Sequence, residues 1–155
     1  MTLAGFIQHI ATANARIAHS THKALEQAAK VVEHEAKKSI GHYQLAAGPF
    51  GPWPELKQAT KDDRLRKNFT ENDPGLRTGA MMRSINHLVG NKEAVVGSND
   101  QHLVWFELGT NKQFPRSVLG GAAFRKQHKV ASILGSSVAQ GLIGNGVHNG
   151  YLPIK

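Results

Sequence analysis

Cysteine is absent from the 155 residues, which excludes disulfides, thiolate metal sites and a cysteine nucleophile at once. Folding and assembly must therefore rest on packing and strand pairing. Aromatic residues are scarce at 6%, against 40% hydrophobic residues in all, so the core is expected to be built mainly from Ala, Leu, Ile and Val. No stretch approaches the roughly 20 apolar residues of a membrane-spanning helix, and the N-terminus lacks a basic region followed by an uninterrupted apolar run. The chain is accordingly expected to be made and used in the cytoplasm, without a membrane partner. There is also no GxSxG, no HExxH and no phosphate loop. With no nucleophile, base and oxyanion donors in a recognisable pattern, a non-enzymatic role without cofactors is expected. Acidic residues are the scarcer charge, 11 against 19 Lys and Arg, for a formal net charge of +8. That balance favours contact with nucleic acid or acidic protein surfaces but does not determine a fold.

Apolar residues recur at helical spacing from the start: Leu3, Phe6, Ile7, Ile10, Ala13 and Ile17, continued by Leu25, Ala28, Ala29, Val32 and Ala36. Proline is missing from this stretch, so one helix over residues 2–40 is expected, with Gly41 at its C-cap. At 1.5 Å per residue it would be on the order of 55 Å long, more than a small core can cover. Part of it is expected to pack on another subunit. Residues 46–54, with three prolines and two glycines, are too irregular for a regular element. Residues 55–67 are polar and weakly helical, and a short helix should open near Arg77 and Thr78. Asn86 to Val89 and Ala94 to Gly97, joined through Gly90-Asn91-Lys92, read as a β-hairpin. A compact apolar segment, His102 to Leu108, ends in Gly109. A last helix is expected from Val118 to Ile143, weakened and open to breakage at Gly120, Gly121, Gly135 and Gly141. The fold class is thus α+β, a long N-terminal helix and a C-terminal helix packed on a small antiparallel sheet. Residues 1–143 form the expected single domain, with a loop at 41–54, core motifs over 55–125 and an arm at 144–155. The loop at 41–54 and residues 144–151 are expected to act as docking arms, ordered only on binding.

Four short segments stand out. Leu76-Arg77-Thr78-Gly79-Ala80-Met81-Met82-Arg83-Ser84-Ile85 resembles the LRTGxLxxSI signature of minor structural proteins of tailed phages. Val96-Gly97-Ser98-Asn99 followed by Trp105-Phe106-Glu107-Leu108-Gly109-Thr110 resembles the same family's VGSN and EfGT pair. Trp53-Pro54-Glu55-Leu56 with Thr60 and Arg64 is similar to a stretch that precedes LRTG in virion-morphogenesis proteins. Pro115 to Ala123 resembles the family's PxRPFLxPA segment, with the second proline and the phenylalanine missing. Each motif is short and unconstrained by any reaction chemistry; their order and spacing carry the resemblance.

The resemblance implies a structural virion protein, a neck or tail-completion subunit forming a ring of six or twelve copies at the head–tail junction. Its implied partners are the head connector, the tail-tube or tail terminator proteins and the genome DNA crossing the channel, bound without sequence preference. A tail terminator capping the tube is the nearest alternative within the family. The candidate interface residues are Arg77, Thr78, Gly79, Arg83, Trp105, Glu107, Gly109 and Thr110. Read physically, Thr78 caps the short helix, Gly79 permits close approach, both aromatics of the Trp105-Phe106 pair anchor in the core, and Gly109 ends its element in a left-handed conformation. A plain helix–strand junction explains the first motif equally well. Glu107, a carboxylate inside an apolar run, needs a partner, expected to be Arg83, Arg77 or a basic residue of a neighbouring subunit.

Lys57, Lys61, Arg64, Arg66 and Lys67 form the densest basic run, assigned to DNA or an acidic partner, with a solvated face as the competing reading. Six copies would carry +48, against about 20 phosphate charges in a collar some 35 Å tall. Most basic residues must therefore face elsewhere. Among the nine histidines, His19 and His22 have i, i+3 spacing, but no third ligand stands suitably close for a metal. A free basic DNA-binding protein is the competing class, although no helix-turn-helix, zinc-finger or RNP-like pattern is visible.

Overall fold

The apolar stripe of the first forty residues produces a single helix, α1, from Leu3 to Ser39. In the computed structural model, which describes residues 2–143, Thr2 caps it by accepting from the Gly5 N–H at 3.2 Å. Ile40 is the C-cap, and Gly41 is the residue beyond it, with a φ of 93° and an N–H donated to the Pro74 carbonyl. The shift by one position follows from the chemistry of helix ends, where the left-handed residue lies just outside the cap.

The remaining elements are α2 (Gln58–Arg66), α3 (Ala80–Ser84), β1 (Ile85–Val89), β2 (Ala94–Ser98), α4 (Gln101–Leu108) and α5 (Leu119–Ile143). The architecture is α+β: among the described residues there are five helices and one two-stranded antiparallel sheet, in which Ile85 pairs with Ser98 and Val89 with Ala94. The short helix opens at Ala80, two to three residues later than expected, because Gly79 supplies the left-handed N-cap. The apolar segment before Gly109 is helical, started by Asp100, whose side chain accepts from the His102 N–H at 2.9 Å.

Both α5 and the hairpin pack on α1. Ser20 donates to the Ser137 carbonyl at 3.1 Å, while Arg125 reaches Glu35 and Ser39 at the other end, so α5 runs antiparallel to α1. His22 meets the Gly90 carbonyl and Glu33 meets His87, tying α1 to the hairpin. At 100° per residue, Ile17, Ser20, Ala24 and Glu35 fall on one side of α1 and His22, Glu26 and Glu33 on nearly the opposite side. The long helix is therefore the middle of the structure.

All four glycines expected to break α5 lie within an unbroken helix. Three of them are occupied by close packing, which outweighs their poor propensity. A Cβ on Gly120 would lie 2.5 Å from the Phe50 ring, one on Gly141 would lie 2.9 Å from the Ile17 backbone, and Gly121 faces Arg125. The core proper lies around the C-terminal end of α1, where Ala36, Ile40, Met81, Ile85, Phe106 and Val118 are buried together. Each large side chain buried there contributes about 1.5–3 kcal/mol.

The loop at 41–54 is held to this core. Trp53 is buried, stacks edge-on against Phe106 at 5.3 Å and donates to the Ser117 carbonyl at 3.2 Å. Its backbone N–H bonds Gln44, and Ala47 bridges to Phe50. An arm ordered only on binding is thus not what this segment is, because an indole anchor already fixes it. Residues 144–155, the second expected arm, lie outside the described residues.

Candidate functional site

Glu107 organises the end of α4. Gly109 follows with a φ of 77° and a ψ of −179°, and a Cβ there would come within 2.9 Å of Gln113 O and Pro115 N. Its φ is positive as expected, but its ψ is extended rather than left-handed helical, a combination essentially confined to glycine. The chain then turns tightly, Thr110 and Gln113 exchanging backbone hydrogen bonds while Thr110 Oγ accepts from the N–H of Lys112 and Gln113. Arg116 returns to bond the Phe106 carbonyl at 2.7 Å. This brings residues 117–120 against the Glu107 carboxylate.

There Glu107 accepts from Ser117 Oγ at 2.6 Å and from the N–H groups of Val118, Leu119 and Gly120 at 2.5, 2.9 and 2.9 Å. The three N–H groups are donors that the first turn of α5 cannot satisfy within the helix, and the positive end of its dipole favours an anion. The expected ion pair with Arg83 or Arg77 is overturned within the chain: neither touches Glu107, and backbone amides take the carboxylate instead. Of the two aromatics, Phe106 is buried and Trp105 is 47% exposed. One turn of helix cannot point neighbouring residues inward together, so Trp105 faces outward beside His102.

Beside Glu107 a cleft of about 460 Å³ opens between residues 49–54 and 114–117, walled by Phe50, Pro52, Leu108, Phe114 and Pro115. Arg116, between the lining residues Pro115 and Ser117, turns into the interior. Its guanidinium is buried, donates to the Pro54 carbonyl at 2.6 and 3.1 Å and to the Glu55 carbonyl at 3.2 Å, and stands over the Phe106 ring. Burial pushes its pKa down. Sequence reasoning did not single out Arg116, since its partners are carbonyls some sixty residues away and leave no local signal.

The first motif forms a second cluster. Asp63 accepts from Arg66 at 2.6 Å, Lys67 at 3.1 Å and Arg77 at 3.0 Å, and those hydrogen bonds hold its carboxyl down at about 2. Arg77 also lies over the Phe69 ring. Thr78 was expected to cap α3, but the N-cap is Gly79; Thr78, one position earlier, accepts from the Ala80 N–H at 3.3 Å through its Oγ. Arg83 donates to the Thr78 carbonyl at 3.1 Å and its guanidinium occupies the space beside Gly79.

The basic run does not form one face. Arg64 is buried, donating to the Thr70 carbonyl and hydroxyl and to the Leu76 carbonyl. A contact between Arg64 and DNA is therefore overturned: a long α2 side chain was needed to satisfy carbonyls of the 70–76 turn. Lys61 is half-buried beside Glu55, Arg66 and Lys67 are tied to Asp63, and Lys57 is exposed at the start of α2.

Of the paired histidines, His22 is spent on the Gly90 carbonyl, and among the described residues no group of three or more ligand-type side chains could hold a metal. No described helix is long and apolar enough to cross a membrane. Comparison with protein-family models, curated proteins and solved structures finds no match to this chain.

Proposed function

We propose that this chain is a structural subunit of a tailed-phage particle, assembling into a ring of six or twelve copies at the head–tail junction and joining the connector to the tail around the DNA channel. The reading is non-enzymatic, and its site is a surface for other subunits. It places the protein in the virion after assembly in the host cytoplasm.

One observation carries the reading: the segments that resemble the phage signatures form a single unit in space. Ser84 of the first signature shares a hydrogen bond of 2.6 Å with Ser98 of the second. Met81 and Ile85 of the first are buried in the same cluster as Phe106 of the EfGT half of the second and Trp53 of the upstream stretch. The apolar start of α1, exposed among the described residues, supports an assembling subunit in addition, since Leu3, Phe6, Ile7 and Ile10 are 76, 50, 59 and 44% exposed.

The test is mass per particle by light scattering, for the protein alone and mixed with connector and tail-tube proteins from the same phage. A species of six or twelve copies, alone or with both partners, is expected. Rings that bind the tube but not the connector would make it a tail terminator. A persistent monomer that binds duplex DNA with steep salt dependence would replace the reading with the free DNA-binding class.

A further inference from the structure

Two apolar surfaces lie at opposite ends of α1. At its start, Leu3, Phe6, Ile7 and Ile10 stand at i, i+3, i+4 and i+7, the spacing with which a helix anchors in a groove. They continue the side of α1 that α5 covers further along, and α5 comes level with Ile17 at Gly141, near its own end. At the other end lies the cleft beside Glu107, bordered by the outer side of α4.

That helix is apolar on nearly every side: Leu103 and Phe106 point inward, while Val104, Trp105 and Leu108 are 43, 47 and 73% exposed. A helix apolar all round is normally covered. Phe114, 67% exposed, extends the surface across the cleft mouth.

We infer that the first turns of α1 of one copy lie in the cleft and against the outer side of α4 of a second copy. A copy cannot do this to itself. The cleft adjoins the start of α5, which Arg125 ties to Ser39 at the far end of α1, and a helix of 37 residues holds the two surfaces about 55 Å apart. The areas match. Taking roughly 180 Å² for a fully exposed large apolar residue, the four residues of α1 offer about 400 Å². Val104, Trp105, Leu108 and Phe114 offer about the same, and Phe50 with the prolines adds more. The sum approaches the ~1,000 Å² that a specific interface needs. The two surfaces are different patches of the chain, so their contact is head-to-tail, and its repeated use gives a ring where the rotation between copies closes and a filament where it does not. The inference supplies the contact for the ring proposed above, yet the two can fail separately.

The absence of cysteine makes the test direct. Ile7→Cys and Phe114→Cys, both at exposed positions, are prepared as separate full-length proteins, mixed in equal amounts and oxidised with glutathione disulfide. A disulfide joining the two variants, in clear excess over either homodimer, is expected. Ile7→Asp should weaken self-association about tenfold or more while leaving the far-ultraviolet circular dichroism of the folded protein unchanged. A dominant disulfide homodimer of the Ile7→Cys variant would assign the stripe to its own counterpart in a second copy and overturn the inference. So would a monomer in which the Ile7→Cys thiol resists alkylation, which would mean that the chain's own residues 144–155 cover the stripe. Rings that form without any disulfide between the two variants overturn the contact and leave the ring; a mixed dimer of the two variants that never enlarges keeps the contact and removes the ring.

Discussion

Glu107 and Gly120 meet through a 2.9 Å hydrogen bond from the glycine N–H to the carboxylate, which joins α4 to the first turn of α5 across thirteen residues. Replacing Glu107 with alanine leaves this donor, two neighbouring N–H groups and the Ser117 hydroxyl without their acceptor. A loss of about 2–4 kcal/mol of unfolding free energy is expected, with glutamine at the same position losing less because one side-chain oxygen remains. Urea denaturation of the three proteins decides it. An alanine variant within about 0.5 kcal/mol of the parent would mean that the carboxylate does not hold α5.

Arg64 and Arg66 are two residues apart and should behave oppositely. Arg64 is buried against the Thr70 and Leu76 carbonyls, while Arg66 is exposed. Alanine at 64 should cost about 2–4 kcal/mol, and alanine at 66 under about 1 kcal/mol. Thermal melts followed by circular dichroism measure both, and equal melting temperatures would contradict the buried role of Arg64.

Asp63 gives a pH dependence with a definite sign. Its carboxyl is held at about 2 by Arg66, Lys67 and Arg77, below the ordinary value of about 3.9. A depressed pKa in the folded state adds stability above the unfolded value, and that stability disappears as pH falls from about 4 towards 2. Asp63→Asn should therefore flatten the stability profile in that window while leaving its shape near neutrality unchanged. Profiles of parent and variant that run parallel down to pH 2 would contradict the assignment.

Gly141 has no room for a side chain. A Cβ would lie 2.9 Å from the Ile17 backbone and from Ser20 Oγ, so Gly141→Val should push the end of α5 off α1, at a cost of about 1–3 kcal/mol. Hydrogen exchange should show the loss confined to the end of α5 and the α1 residues near Ile17, with the hairpin unaffected. Unchanged protection there would show that the two helices do not pack this closely.

The regular elements were largely legible because they rest on local periodicity. Leu3 to Ala36 repeat every three or four residues, and the alternation around Gly90 marks the hairpin. Partnerships across the chain were not. Glu107 was expected to meet an arginine, yet backbone N–H groups, which every residue carries and no letter announces, hold it. Arg64 was grouped with its basic neighbours, although its guanidinium satisfies carbonyls of the 70–76 turn. Glycines that argued against α5 became the positions where Phe50 and Ile17 approach it.

By itself the sequence determined the α+β class, the length and apolar side of α1, the place of the hairpin and the absence of any thiol chemistry. Those properties depend on side-chain type and spacing along one segment. Tertiary structure alone decided that Glu107 caps α5, that Arg64 and Arg116 are interior, that Trp105 faces outward, and that Gly141 of α5 comes level with Ile17 of α1. Each of these depends on which distant backbone groups meet, and that is set by packing three-dimensional surfaces rather than by any local pattern of residues.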